Sequence, residues 1–203
     1  FGRAVDSIEP GALIADLSAT PRLAGNSGVF WAFVTIPFST QTVTAIFREE
    51  SGVLDPVIRS GAAAPGLPGL TVSVLDRAVE VADDGSIVFS GGLSGPGVTS
   101  LNNSAIWTWS PSNGFGLVAR EGDQVPGAGS GTVFATLGRA GLNSNGRVAF
   151  TAWLGGAGVV GTSNYALFAG NSLNQLALVA RTGQSFTLPA PGSGTKVIKD
   201  IIF

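Results

Sequence analysis

The 203-residue sequence contains no cysteine and no histidine, and its only lysines are Lys196 and Lys199. Without cysteine it has no disulfide and no thiolate nucleophile, and without histidine it lacks the commonest general base and metal ligand. A serine nucleophile would need a lysine or an acid as its base, and no spacing in the chain provides one. The sequence therefore predicts no catalytic residue, no metal site and no cofactor.

Charge of either sign is also scarce. Charged residues make up 12% of the chain, against about 25% in typical domains, and the formal net charge is −2. Nucleic acids and anionic membranes bind basic surfaces, so neither is predicted as a partner. No apolar run approaches the roughly 18 residues of a membrane-spanning helix. Low charge with abundant Ser, Thr, Gly and Asn favours an exported protein, extracellular or at the cell surface.

What the chain does contain is short, alternating apolar runs separated by turn residues, and hydrophobic residues amount to 44%. This pattern is typical of an antiparallel all-β protein with a real core. No stretch keeps a 3.6-residue period, so we expect little or no helix. In the clearest region the predicted strands are Thr71–Leu75, Gly85–Ser90, Ser104–Trp109 and Gly114–Ala119.

A motif of the form Arg-x-Gly…Pro-Gly recurs along the chain. It begins at Arg59, Arg120 and Arg181, which are 61 residues apart, and residues 1–11 resemble a still earlier copy. The motif glycines and prolines are Gly61, Gly122, Pro65 and Pro126. The spacing predicts tandem units over residues 1–58, 59–119 and 120–180, with 181–203 beginning a fourth, all in one continuous repeat body.

Four strands in each unit of about 60 residues are typical of a β-propeller blade. The Arg-x-Gly…Pro-Gly segment is then the crossing between blades, where Gly adopts unusual dihedrals and Pro fixes a turn. The fourth unit would begin with a strand over Lys196–Phe203. Three units and a part leave a ring open, so we expect a longer repeat protein or a second chain to complete it. A β-solenoid-like stack and a pair of β-sandwiches are the alternative folds.

Two segments, Val118–Gly127 and Leu142–Phe150, match a pattern of the form V-x-R-x-G-D-x-x-P-G followed by L-N-x-x-G-x-V-A-F. This pattern resembles tandem repeats in exported proteins of planctomycetes and related bacteria, whose chains often carry a C-terminal sorting or anchor signal. The resemblance extends with decreasing quality over essentially the whole chain. It implies an extracellular, propeller-like repeat protein and brings no catalytic residues.

Several polar residues have a functional and a structural interpretation. Glu121 and Asp123 could form an acid–base pair or a Ca²⁺ site, but the other units lack them, which favours a turn or ion-pair role. The turns Asp83–Gly85 and Asn143–Gly146 resemble fragments of Ca²⁺ loops, and hairpin chemistry explains them as well. The repeated arginines could bind an anion, although bonding to neighbouring carbonyls is simpler.

Among the four tryptophans, Trp107 occupies an apolar repeat position and is predicted to be in the core. Trp109 and Trp153 lie near strand ends and are the better candidates for contact with a ligand, such as a stacked sugar. We expect a non-enzymatic structural or interaction protein of a surface or multi-subunit assembly, with protein partners or further copies of the repeat. A glycan- or peptide-binding propeller is the alternative, and a carboxylate-based glycoside-cleaving propeller is a third.

Overall fold

A computed structural model of the protein describes residues 7–17, 21–25, 27–39, 42–172, 175–189 and 194–203. The proposed early motif copy at residues 1–3 lies outside them. The fold is all-β, as predicted, and the described residues contain almost no helix; Gly161–Ser163 forms a 3₁₀ turn. In this part of the chain no helix has the length and apolar character of a membrane span.

The strands form three antiparallel meanders and one separate hairpin, and none of these sheets closes on itself within the described residues. The first sheet contains β1 (Leu13–Leu17), β2 (Arg22–Ala24), β3 (Ser27–Thr35), β4 (Thr42–Glu50) and β5 (Val53–Arg59). The second contains β6 (Thr71–Val81), β7 (Ile87–Ser94), β8 (Ser104–Ser110) and β9 (Gly114–Arg120). The third contains β10 (Thr132–Leu142), β11 (Val148–Gly156), β12 (Tyr165–Gly170) and β13 (Ala177–Arg181). The hairpin pairs β14 (Ser185–Leu188) with β15 (Gly194–Val197).

Three predicted strands were wrong in extent, and the one predicted over Gly85–Ser90 runs from Ile87 to Ser94. The strand predicted to end at Leu75 continues to Val81, because the ladder breaks after Leu75 and resumes at Val79. Such a break interrupts the alternation of apolar residues without ending the strand. The strand predicted over Lys196–Phe203 ends at Val197. Beyond Val197, Ile198 still makes backbone hydrogen bonds with Gln184 and Gly183, and the residues that follow it are not in a strand.

The three sheets pack face to face in chain order. Successive residues of a strand point to opposite sides, so the second sheet presents one apolar set to each neighbour. Phe89 and Trp107 pack with Trp31 of the first sheet. Val88 and Ile106, each adjacent to one of them in sequence, pack instead with the core of the third sheet. The second sheet is therefore covered on both faces.

Each sheet carries one cross-strand pair of stacked aromatic rings at the same place in its meander. The pairs, with their centroid separations, are Phe30–Phe47 at 5.5 Å, Phe89–Trp107 at 5.7 Å and Phe150–Phe168 at 5.4 Å. The interplanar angles are 24°, 21° and 22°. Offset stacking of this kind adds roughly 0.5–1.5 kcal/mol beyond burial.

Candidate functional site

The Arg-x-Gly motif lies at the end of the last strand of each sheet, where the chain crosses to the next sheet. Arg59, Arg120 and Arg181 are the final residues of β5, β9 and β13. The glycines that follow have φ values of 82°, 83° and 79°, which only glycine adopts without strain. The N–H groups of Gly61 and Gly122 donate to carbonyls of β6 and β10 at 2.7 Å and 2.8 Å, and that of Gly183 donates to the Ile198 carbonyl, one residue beyond β15, at 2.8 Å. The motif thus begins the next antiparallel ladder.

The residue between Arg and Gly is a buried polar side chain in each copy, and it accepts backbone N–H groups. Ser60 Oγ accepts from Thr44 N at 3.0 Å, and Thr182 Oγ1 accepts from Tyr165 N at 3.2 Å. In the remaining copy the residue is Glu121, whose Oε1 accepts from Leu137 N at 3.3 Å. Glu121 therefore holds strands together.

Burial raises the pKa of Glu121 above its ordinary value of 4.5, and hydrogen bonds from the Leu137 and Ser104 backbone partly oppose this. Burial likewise raises the pKa of Asp123 above 3.8, and the nearby Arg120 charge lowers it in part. Both carboxyls respond to desolvation in the same direction. The pKa values of Glu121 and Asp123 are thus both raised because the junction buries the two carboxyl groups.

The motif arginines and prolines contact backbone groups. Arg120 Nε donates to the Asn102 carbonyl at 3.2 Å, and Arg59 Nη1 donates to the Ser60 carbonyl at 3.2 Å. Arg181 Nε donates to the Ser163 carbonyl. The Pro65 carbonyl accepts from the Trp107 indole at 3.0 Å. Pro126 lies in the equivalent junction, ahead of Gly127 at φ 76°. These contacts stabilise the junctions between the sheets.

The turns that resemble Ca²⁺ loops are closed by their own side chains. Asp84 Oδ1 accepts from Ser86 N at 2.8 Å. Asn143 Oδ1 accepts from Asn145 N at 3.0 Å and from Arg147 N at 2.8 Å. These are the local bonds expected of Asx turns in hairpins. Across the described residues no three acidic side chains converge as metal ligands would.

The two candidate tryptophans occupy different places and do not form one site. Trp109 is half-buried against the core between the first two sheets, with the Arg48 guanidinium 5.9 Å from its ring centroid. Trp153 is 49% exposed and lies 4.7 Å from the Tyr165 ring. Together with Asn164 and Asp200, Trp153 and Tyr165 line a cleft of about 380 Å³. Trp107 is fully buried in the core.

The outer face of the third sheet, which carries Trp153, Leu167 and Val179, is only partly covered, by the C-terminal segment: Asp200 and Ile201 lie beside Trp153, and Phe203 lies against Gly141. We call its uncovered part the open face. Val179 of β13 is 53% exposed, whereas Val118, the equivalent residue of β9, is 0% exposed because the third sheet covers it. Exposed apolar side chains on the face of a sheet are typical of interaction sites.

A second surface arises where the first strand of each sheet breaks its ladder. The last paired residue before the break is a leucine in all three sheets: Leu17, Leu75 and Leu137. Pairing resumes at Arg22, Val79 and Ala140. Bulges of this kind re-aim side chains away from the ladder. Here they bring charged residues of three sheets together.

The resulting arginine cleft, of about 610 Å³, is lined by Arg22, Asp76, Arg77, Ser90 and Arg139, among others. Glu80 Oε1 accepts from Arg22 Nη2 at 2.7 Å and from Arg139 Nη2 at 3.1 Å. One carboxylate thus bridges guanidinium groups from the first and third sheets.

The sequence did contain a signal for this cleft that the repeat comparison missed. Leu75-Asp-Arg-Ala78 and Leu137-Gly-Arg-Ala140 are one motif copied 62 residues apart. Because the break shifts the register between copies, alignment on a fixed period of 61 does not superimpose Arg77 on Arg139. The motif also falls at the end of the predicted first strand, where a loop was expected.

Comparison with curated proteins and with solved structures gave no match. One family model does match, over residues 16–202, and it describes a family of unknown function, DUF7453. The match spans all three sheets and the hairpin that follows them. The chain therefore belongs to the DUF7453 family.

Proposed function

We propose that the chain is a non-enzymatic interaction module of an extracellular or surface assembly, built from propeller-like blades. It acts by packing the open face of its third sheet against a further sheet of the same repeat, supplied by a second copy. The observation that carries the proposal is the pair Val118 and Val179, fully buried and 53% exposed at equivalent positions. The two valines differ because a following sheet covers Val118 and none covers Val179.

The occupant is a sheet of the same kind because the molecule already contains that interface twice. The first sheet is covered by the second, and the second by the third, each through apolar residues on alternate strand positions. Leu167 and Val179 continue the series formed by Ile106 and Val118. Burying such side chains is worth about 1.5–3 kcal/mol each. A further blade-like sheet therefore fits the face by continuity.

The arrangement also supports a propeller-like reading over a solenoid or sandwiches. Each meander uses its first strand to contact the preceding sheet, as β6 does with β3 and β10 does with β7. Each junction then enters the next first strand through the same Arg-x-Gly bond. Radial repetition of four-stranded meanders has this connectivity. No catalysis is assigned, since Glu121, the buried carboxylate, is hydrogen-bonded to the backbone.

Sedimentation of the purified chain over a range of concentrations tests the proposal. We expect reversible self-association that Val179→Asp abolishes, because an aspartate would be desolvated in the interface. The matched control is Val53→Asp, at a valine 58% exposed at the start of β5 in the first sheet, away from the face. A chain that stays monomeric at all concentrations, or equal loss of association in both variants, contradicts the proposal.

One observation favours glycan binding as the second candidate. Trp153 and Tyr165 expose adjoining rings beside Asn164 and Asp200, a combination of stacking surface and hydrogen-bonding groups suited to a sugar. On a glycan array, saturable binding should be lost in Trp153→Ala and kept in Trp109→Ala, whose ring is packed between sheets. An array without any saturable signal removes this candidate.

A further inference from the structure

The arginine cleft combines charges that the fold itself does not balance. Three guanidinium groups, of Arg22, Arg77 and Arg139, face two carboxylates, of Asp76 and Glu80. The cleft thus has one excess positive charge in a chain whose formal net charge is −2. Nothing in the packing of the sheets requires three arginines from three different sheets to meet.

The two carboxylates are already engaged. Glu80 is shared between Arg22 and Arg139, and its side chain is 25% exposed. Asp76 Oδ2 accepts from Ser90 Oγ at 2.6 Å. Neither acid is within ion-pair distance of Arg77. The excess charge is therefore that of Arg77.

Arg77 is held in place by aromatic rings. Its guanidinium carbon lies 4.9 Å from the Trp31 ring centroid and 5.6 Å from that of Phe33. Trp31 is fixed in turn, because its indole N–H donates to the Leu75 carbonyl at 2.9 Å. A stacked guanidinium keeps its edge N–H groups available, since the rings occupy only its faces. Arg77 is thus an oriented donor in an open cleft.

A second donor is also unsatisfied. Arg22 Nε is buried and has no hydrogen-bond partner among the described residues. Buried donors of this kind are uncommon and cost about 1–3 kcal/mol unless something pairs with them. Arg22 Nε is shielded from solvent, so the donors that face a ligand in the cleft are the edge N–H groups of Arg77, which bind oxyanions in a fork geometry.

We propose that this cleft binds a ligand bearing one oxyanion group, a carboxylate or a sulfate or phosphate ester, with Arg77 as the principal contact. The volume of about 610 Å³ exceeds what an inorganic ion needs and matches a small organic molecule. Glu80 acts as an internal competitor, because it occupies the two guanidinium groups that flank Arg77 in the cleft. The site is separate from the open face of the third sheet.

The test is a titration followed by the arginine Nε–H resonances of ¹⁵N-labelled protein at low ionic strength. Glucuronate supplies the carboxylate, glucose 6-sulfate and glucose 6-phosphate supply the esters, and glucose is the neutral counterpart. We expect saturable shifts of the Arg77 resonance with at least one acidic sugar and none with glucose. The acidic sugar that binds most tightly identifies the oxyanion.

Three variants give effects of different sign. Arg77→Gln should weaken binding at least about tenfold, the scale of one charge-assisted hydrogen bond. Glu80→Gln should tighten binding, because it frees two guanidinium groups and raises the charge of the cleft. Arg147→Gln is the matched control, an exposed arginine on the β10–β11 turn, and should bind as the wild type does.

The opposite signs keep the proposal open to refutation even if one variant folds poorly. Should Arg77→Gln lose its fold, Glu80→Gln alone decides. Absence of saturable shifts with all three acidic sugars overturns the proposal, as does equal weakening by Arg77→Gln and Arg147→Gln. Unchanged affinity in a folded Glu80→Gln variant overturns it too. An oxyanion bound in the cleft would compete with the Glu80 carboxylate for the guanidinium groups, so removing that carboxylate would have to change the affinity.

Discussion

The second and third sheets have nearly the same strands, turns and aromatic pair, yet only the second is covered on both sides. Val118 and Val179 occupy equivalent positions in β9 and β13 and differ from full burial to 53% exposure. The same residue type at the same place in the repeat is core in one sheet and surface in the other. Burial in a repeat protein is thus decided by the neighbouring unit.

The largest loss of stability should occur in both sheets when a core aromatic ring is removed, because the aromatic face of each sheet is covered. Trp107→Ala and Phe168→Ala each remove a ring that is 0% exposed, and each should lower the free energy of unfolding by about 3–5 kcal/mol. Urea denaturation measures both. If Phe168→Ala costs less than about 1 kcal/mol, the third sheet is not packed as firmly as the second, and the comparison fails.

A smaller effect should separate the two sheets. Val118→Ala removes two buried methyl groups and should cost about 2 kcal/mol. Val179→Ala changes an exposed side chain and should stay within about 0.5 kcal/mol of the wild type. The measurement is again urea denaturation, at a concentration where the chain is monomeric. Equal costs at the two positions would mean that Val179 is covered in solution.

The smallest effect concerns the junction between these sheets and depends on pH. Because burial raises the pKa of Glu121 above 4.5, the folded chain binds its proton more tightly than the unfolded chain does. Stability should therefore fall as the pH rises from about 4.5 through the raised pKa, and stay level above it. In Glu121→Gln this dependence should be reduced, so the difference from wild type changes across that window. A difference that is constant with pH would contradict the assignment.

The sequence predicted the parts of this structure that depend on local pattern. Alternation at Ser104–Trp109 and the turn before Gly114 yielded β8 and β9 almost to the residue. The core position of Trp107 followed from its repeat spacing. In contrast, the half-burial of Trp109 depends on Arg48, which is distant in sequence and approaches from another sheet. Contacts of that kind carry no periodic signal.

The arginine cleft escaped prediction for a related reason. A ladder break depends on register between two strands, and a single strand's composition does not specify it. Asp76 and Arg77 look like the beginning of a loop, and only the partner strand shows that the ladder resumes at Val79. The repeated Leu-x-Arg-Ala motif was readable, but its period of 62 differs from that of the junctions.

The ladder breaks also have a consequence for how such repeats diversify. The unpaired segment spans 76–78 in the second sheet and 138–139 in the third, while the paired residues on either side keep their order. Length can therefore vary at this level without moving the rest of a sheet. A family built this way could revise its cleft one unit at a time, by insertion and deletion, much as antibodies vary loops on a constant frame. For protein engineering, the break in each first strand is the place where a short graft should be tolerated.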